Sequence, residues 1–164
     1  MTGFRIERVD WLDPRAVGLR RAMDADMAER YGTSGGPAEP VEFTAKRARA
    51  LSVRAADVRA TLLAVLPDGT PVGHVALRRL GPDWEIKRLI VSPLVRRAGI
   101  ARALLAEVES LASRDGAPRV ILQTGDKQPE AVALYERSGY SPIPIYEPYP
   151  ETMPFSLCFE KPLA

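Results

Sequence analysis

The chain has 164 residues, 46% of them apolar and 27% charged, with a formal net charge of +2. That length suffices for a domain with its own core, and the composition is that of an ordinary soluble globular protein. The near-balanced charge speaks against a nucleic-acid partner. A single cysteine, Cys158, excludes an internal disulfide and, inside an apolar run, reads as a small buried hydrophobe. No stretch is long enough to cross a bilayer, and the N-terminus has no apolar signal core. The expectation is a cytoplasmic protein without a membrane partner.

In chain order, Phe4 to Val9 alternates in polarity and predicts a first strand. Asp13-Pro14 supplies an N-cap and a Pro at the first helical position; Leu19, Met23 and Met27 recur at helical spacing, and Gly32 is the stop. Residues 32 to 40 are rich in Gly, Pro and Ser and predict a mobile loop. Residues 41 to 57 predict a second helix without a clear apolar face. Thr61 to Leu66, the turn Pro67 to Thr70, and Val72 to Leu80 form a hairpin, followed by a third strand from Trp84 to Val91. A helix then runs to about Arg114. Val120 to Thr124 is a strand, and Pro129 to Ser138 a helix. Tyr140 to Ile145 and Phe155 to Phe159 close the chain as strands, with a Pro/Tyr-rich loop between them. No repeat or linker divides residues 1–164, so they predict one domain with a mixed α/β sheet and a crossover helix between Val91 and Val120.

The most informative stretch is Arg96-Arg97-Ala98-Gly99-Ile100-Ala101. It lies between the apolar run Leu89-Ile90-Val91 and an amphipathic one (Ile100, Leu104, Leu105, Val108, Leu111). Strand, small-residue turn and helix N-terminus together suit an anion: Gly admits close approach, and the first helical amides lack intrahelical partners. Arg96, Arg97 and Arg102 add positive charge. The stretch is not a P-loop, because no Gly-Lys-Ser/Thr follows, nor a dinucleotide fingerprint, because the spaced glycine triplet is missing.

Arg96, Gly99 and Ala101 do fill the Arg/Gln-x-x-Gly-x-Gly/Ala pattern of the GNAT acyl-CoA acetyltransferases. Glu85 to Pro93, Ala103 to Leu105 and Gln128 to Tyr140 resemble the same superfamily, so the likeness spans residues 84 to 140. The resemblance implies an α/β GNAT fold: a mixed, mostly antiparallel sheet flanked by helices and splayed around the phosphate-binding strand. It implies acetyl-CoA as cosubstrate, with its diphosphate on Arg96, Arg97, Ala98, Gly99, Ile100, Ala101 and Arg102. Its pantetheine arm would pair with the exposed edge of Leu89, Ile90 and Val91, and the Leu89 N–H would polarise the thioester carbonyl. Many relatives place an asparagine just before the helix that begins here at Pro129; Gln128 occupies that region.

Two residues carry the implied chemistry. Glu85, eleven positions before Arg96, sits where the histone-acetylating branch places its general base. It reads equally as a strand glutamate paired with Lys87 or an arginine. Tyr135 sits where the pattern places a hydroxyl that reaches the CoA sulfur, able to donate to the departing thiolate; its alternative is packing beside Val132. His74, the lone histidine, reads as a packed or surface residue, and no Cys/His cluster suggests a metal. Tyr146, Glu147 and Tyr149, with the acidic residues of the first helix, suit a cationic amine or a polar small molecule, or else form a solvated crossover. The expectation is an N-acetyltransferase of a bacterial type, monomeric or homodimeric, acting on a small-molecule amine by direct attack. The rivals are a protein or peptide N-acetyltransferase and a non-catalytic acyl-CoA sensor.

Overall fold

The computed structural model describes residues 3–32 and 40–164. β1 (Arg5–Val9) is followed by α1 (Pro14–Tyr31) and α2 (Val41–Leu51). β2 (Val58–Val65), β3 (Pro71–Leu80) and β4 (Asp83–Val91) form an antiparallel meander. α3 (Ile100–Arg114), β5 (Arg119–Thr124), α4 (Pro129–Arg137), β6 (Ser141–Ile143) and β7 (Leu157–Pro162) complete the chain. The seven strands form one sheet in the order β1-β2-β3-β4-β5-β7-β6. Every pairing is antiparallel except β4 with β5, which α3 joins as a crossover.

The central strands are buried on both faces, as strands covered by helices on either side must be. Leu62, Ala64, Val75, Leu77, Trp84 and Ile86 meet Ile100, Leu104, Leu105 and Val108 of α3 in the main core. On the opposite face Leu63 and Val65 pack against Ala16 and Leu19 of α1. Gly73 lets the start of α3 reach the sheet: a Cβ there would stand 2.8 Å from Ile100 Cγ2 and 2.9 Å from Leu104 Cδ1. The first turn of α3 is thereby fixed against β3.

Local signals set the element ends. The Asp13 side chain accepts from the Arg15 amide at 2.9 Å, and α1 stops before Gly32. The expected loop at 32 to 40 lies mostly outside the described residues. The second helix ends at Leu51, short of residue 57, and a 3₁₀ turn at Ala55–Asp57 follows. Ser52 closes α2 with a bond from its hydroxyl to the Arg49 carbonyl at 2.7 Å. The strand expected from Tyr140 to Ile145 is only Ser141–Ile143, because the Tyr140 ring turns into the core and its hydroxyl donates to Glu109 at 2.7 Å. The last strand starts at Leu157 rather than Phe155 and continues to Pro162. Among the described residues no helix is long and apolar enough to cross a membrane.

Candidate active site

β4 reaches the site as a bulged strand. His74 pairs with Ile90 and Ala76 with Lys87, so Arg88 and Leu89 together oppose Val75. Arg88 takes φ 57°, a left-handed value uncommon for a side-chain-bearing residue. Such a bulge redirects a strand, and here it does so where β4 parts from β5. The two parallel strands share the registered pair Glu85↔Ile121; beyond it Leu89, Ile90 and Val91 pair only toward β3, through Ile90 and Val91. An unpaired inner edge results.

His74 secures the bulge. Its ring is fully buried, with Nδ1 2.7 Å from the Arg88 carbonyl and Nε2 3.0 Å from Arg20 Nη1. A guanidinium only donates, so Nε2 accepts and Nδ1 carries the proton that it gives to the carbonyl. Burial pulls the imidazole down to about 4, with the charges of Arg20 and Arg88 acting in the same direction. The lone histidine is thus a packed, neutral structural group. Arg20, only 8% exposed, stacks on the Trp11 ring at 3.5 Å and also donates to the Trp11 carbonyl.

The arginine- and glycine-containing turn follows β4. Ser92 caps a 3₁₀ turn at Pro93–Val95; Arg97 then has φ 66° and Gly99 φ 79°. Gly99 is the N-cap of α3 with no side-chain cap, and the first intrahelical bond runs from the Ala103 amide to the Gly99 carbonyl. The amides of Ile100, Ala101 and Arg102 precede that bond and are left for an outside acceptor. Arg96, Arg97, Ala98 and Gly99 are exposed, as is Arg102, while Ile100 anchors the turn in the core. A Cβ built at Gly99 meets nothing within 4 Å, so open space lies over the turn. Free amides, flanking arginines and an open glycine surface fit a diphosphate.

Glu85 is completely buried, deeper than a half-buried strand carboxylate. Arg78 Nε donates to its Oε1 at 2.7 Å, while the Tyr146 and Tyr149 hydroxyls donate to Oε2 at 2.6 and 2.8 Å. Its cationic partner is therefore Arg78, across the strand pair. Lys87 Nζ donates instead to the Tyr149 hydroxyl at 3.0 Å. Burial holds both tyrosines well above the ordinary phenol range, with the Glu85 charge pushing the same way, so both remain hydroxyl donors. Burial pulls the Lys87 ammonium down to about 8. Tyr149 is fully enclosed and Tyr146 half-buried, while Glu147 is exposed.

Tyr135 lies on the buried face of α4, edge-on to Tyr140 with ring centroids 5.7 Å apart and tilted against Phe159. Its hydroxyl has no hydrogen-bond partner among the described residues, and burial raises it above the ordinary phenol value. Gln128 is the N-cap position of α4, without a capping bond from its side chain. Nearby, the Lys127 amide donates to the Tyr31 hydroxyl at 3.0 Å, which ties the end of α1 to this turn. Cys158 is buried, as its apolar run suggests, and burial raises its thiol.

The acidic residues expected to attract a cation are largely engaged. Asp24 pairs with Arg88, Asp26 with Arg30, and Glu151 with Lys46. Arg20 and Arg78 do not emerge from motif reading, and Lys87 emerges only as a candidate partner of Glu85, yet the three shape the charge of this face. The signal was present: Arg20 falls on the inward stripe four residues after Ala16, and Glu85 and Lys87 alternate on a strand apolar at Trp84 and Ile86.

Residues 22–140 match the acetyltransferase (GNAT) family model. The chain is 36% identical over 165 residues to an IAA acetyltransferase of Azospirillum brasilense, covering 99% of this chain and 100% of that protein. Among solved structures it is similar to a provisionally named acyl-CoA N-acyltransferase from Klebsiella pneumoniae, at 28% identity and TM-score 0.76 over 98% of each chain. It also shares its fold with the PaiA N-acetyltransferase of Thermoplasma acidophilum, solved in complex with coenzyme A, at 15% identity and TM-score 0.64 over 98% of this chain and 99% of that one.

Proposed function

Since the chain belongs to the GNAT acetyltransferase family, we propose that it moves an acetyl group from acetyl-CoA to the primary amine of a small molecule by direct attack on the thioester. The observation that carries this reading is the parting of β4 from β5 after Glu85↔Ile121, beside the uncapped start of α3. An open strand edge and a set of free amides are what a diphosphate with an amide-bearing arm requires.

Bound there, acetyl-CoA supplies an acyl group activated as a thioester. The amides of Ile100 to Arg102 and the Arg96, Arg97 and Arg102 side chains hold the diphosphate. The backbone of Leu89 to Val91 pairs with the arm, and the Leu89 N–H polarises the acyl carbonyl. Gln128, at the head of α4, borders the arm. The Tyr135 hydroxyl, without a hydrogen-bond partner among the described residues, donates to the departing sulfur. Glu85 serves as base through Tyr146: Oε1 is held by Arg78 and Tyr149 is enclosed, so the acceptor ammonium passes its proton to the Tyr146 oxygen as Tyr146 passes its own to Glu85.

The test is free-thiol release from acetyl-CoA over a panel of amines, with IAA included after the Azospirillum relative. Release with one or more small amines supports the reading. Release with peptides alone, or acetyl-CoA binding without release, overturns it.

A further inference from the structure

The face of the sheet opposite α3 holds more positive charge than its own carboxylates neutralise. Four cations, Arg20, Arg78, Lys87 and Arg88, lie beside two carboxylates, Asp24 and Glu85. Glu85 pairs with Arg78 and Asp24 with Arg88. Arg20 and Lys87 are left with no carboxylate in ion-pair contact among the described residues. Both are enclosed, at 8% and 7% exposure. Arg20 donates only to neutral groups, His74 and the Trp11 carbonyl. Lys87 donates to the Tyr149 hydroxyl, which leaves two of its three N–H groups without an acceptor among the described residues.

Glu85 and Asp24 act on these cations only at a distance, and a buried cation without an ion-pair contact gains when a carboxylate arrives. Both sites involve positions on one face of β3. Arg20 binds His74 while Lys87 is registered with Ala76, and these two β3 positions are about 7 Å apart along the strand. Lys87 also stands two residues beyond the last β4–β5 pair, at the mouth of the split where the acyl group is expected. The remaining polar groups facing it, Tyr146, Tyr149 and the Cys158 thiol, are neutral.

We propose that Lys87, seconded by Arg20, binds a carboxylate on the acceptor, which makes the acceptor an amino-acid-like amine rather than a simple cation. This rests on the amine-transfer reading and specifies its substrate class. Two free ammonium donors match the two oxygens of one carboxylate.

The experiment measures binding first. With the protein saturated by coenzyme A, N-acetylated amino acids and their primary amides are titrated by calorimetry. The acids are expected to bind at least about tenfold more tightly than the amides, with Lys87→Met erasing that preference and Lys87→Arg keeping most of it. Acids and amides binding alike, or neither binding, overturns the proposal; this arm needs only the wild-type protein. The second measurement is thiol release from acetyl-CoA with free amino acids and amino-acid amides. Binding of the acids without release from any amine refutes the transfer reading and leaves the carboxylate site standing. Equal loss of release for acids and amides in both Lys87 variants, with binding intact, overturns the proposal in favour of a proton-transfer role.

Discussion

Arg78 and Glu85 face each other as a registered pair across β3 and β4, and Arg78 Nε donates to Glu85 Oε1 at 2.7 Å with both side chains buried. Removing one partner of such a pair leaves the other charge uncompensated, at about 3–5 kcal/mol. Glu85→Gln and Arg78→Met are each expected to lose about that much stability in urea denaturation. The double variant should lose clearly less than the sum, because the second change removes the orphaned charge. Additive losses would show that the pair is not coupled.

The chemical role of Glu85 is better separated at Tyr146. Tyr146→Phe deletes the hydroxyl on Glu85 Oε2 but leaves the Arg78 and Tyr149 contacts in place. Stability should fall by about 1 kcal/mol, the scale of one hydrogen bond. The kcat should fall by roughly 10²-fold, the scale of a lost proton-transfer step, with KM for acetyl-CoA little changed. Wild-type turnover in Tyr146→Phe would assign the proton to a water instead.

Much of the fold is legible in the sequence because its punctuation is local. Asp13-Pro14, Gly32 and Gly99 mark helix ends through caps and backbone freedom that need no tertiary context. The order of strands and helices follows from such marks. The charged cluster is harder to read. Glu85 and Lys87 look like the solvent side of a one-faced strand, yet both are buried there, with the Tyr146–Tyr149 segment against them. What decides their state is Arg78, seven residues before Glu85 but directly opposite it, and two tyrosines more than 60 residues away. The short sixth strand fails for the same kind of reason: Tyr140 suits a strand by propensity, but its hydroxyl finds Glu109 on α3.

Gly99 separates backbone conformation from ligand contact. Its φ of 79° strains any side-chain-bearing residue, yet a Cβ there meets no atom within 4 Å. Gly99→Ala should therefore cost about 1–2 kcal/mol of stability while retaining the rise in melting temperature produced by acetyl-CoA. Gly99→Glu adds a negative charge over the free amides of α3 and should abolish that rise. A full ligand-induced shift in Gly99→Glu, with the fold intact, would place the diphosphate elsewhere.

Tyr135→Phe removes a hydroxyl that has no partner among the described residues and keeps the ring against Tyr140 and Phe159. Stability and acetyl-CoA affinity should stay near wild type, while acyl transfer slows. The penalty should shrink with an acyl donor whose leaving thiol is more acidic, since that thiolate needs less help. An equal penalty with every donor, or an unfolded variant, would make Tyr135 a packing residue.

His74 gives the protein a defined acid sensitivity. Its folded value of about 4 lies below the ordinary 6.5, because burial and the Arg20 and Arg88 charges disfavour the imidazolium. Between those two values the unfolded chain binds a proton that the folded chain does not, so stability falls as the pH is lowered through that window. Well above pH 6.5 the residue contributes no pH dependence. The loss by pH 5 should be on the order of 2 kcal/mol. His74→Asn keeps an N–H that can reach the Arg88 carbonyl but cannot titrate. It should be less stable than wild type at neutral pH, having lost the Arg20 contact, yet lose less on going from pH 7 to pH 5 in urea denaturation. Parallel losses in the two proteins would mean that His74 takes up its proton in the folded state, and that the Arg88 bulge survives its charging.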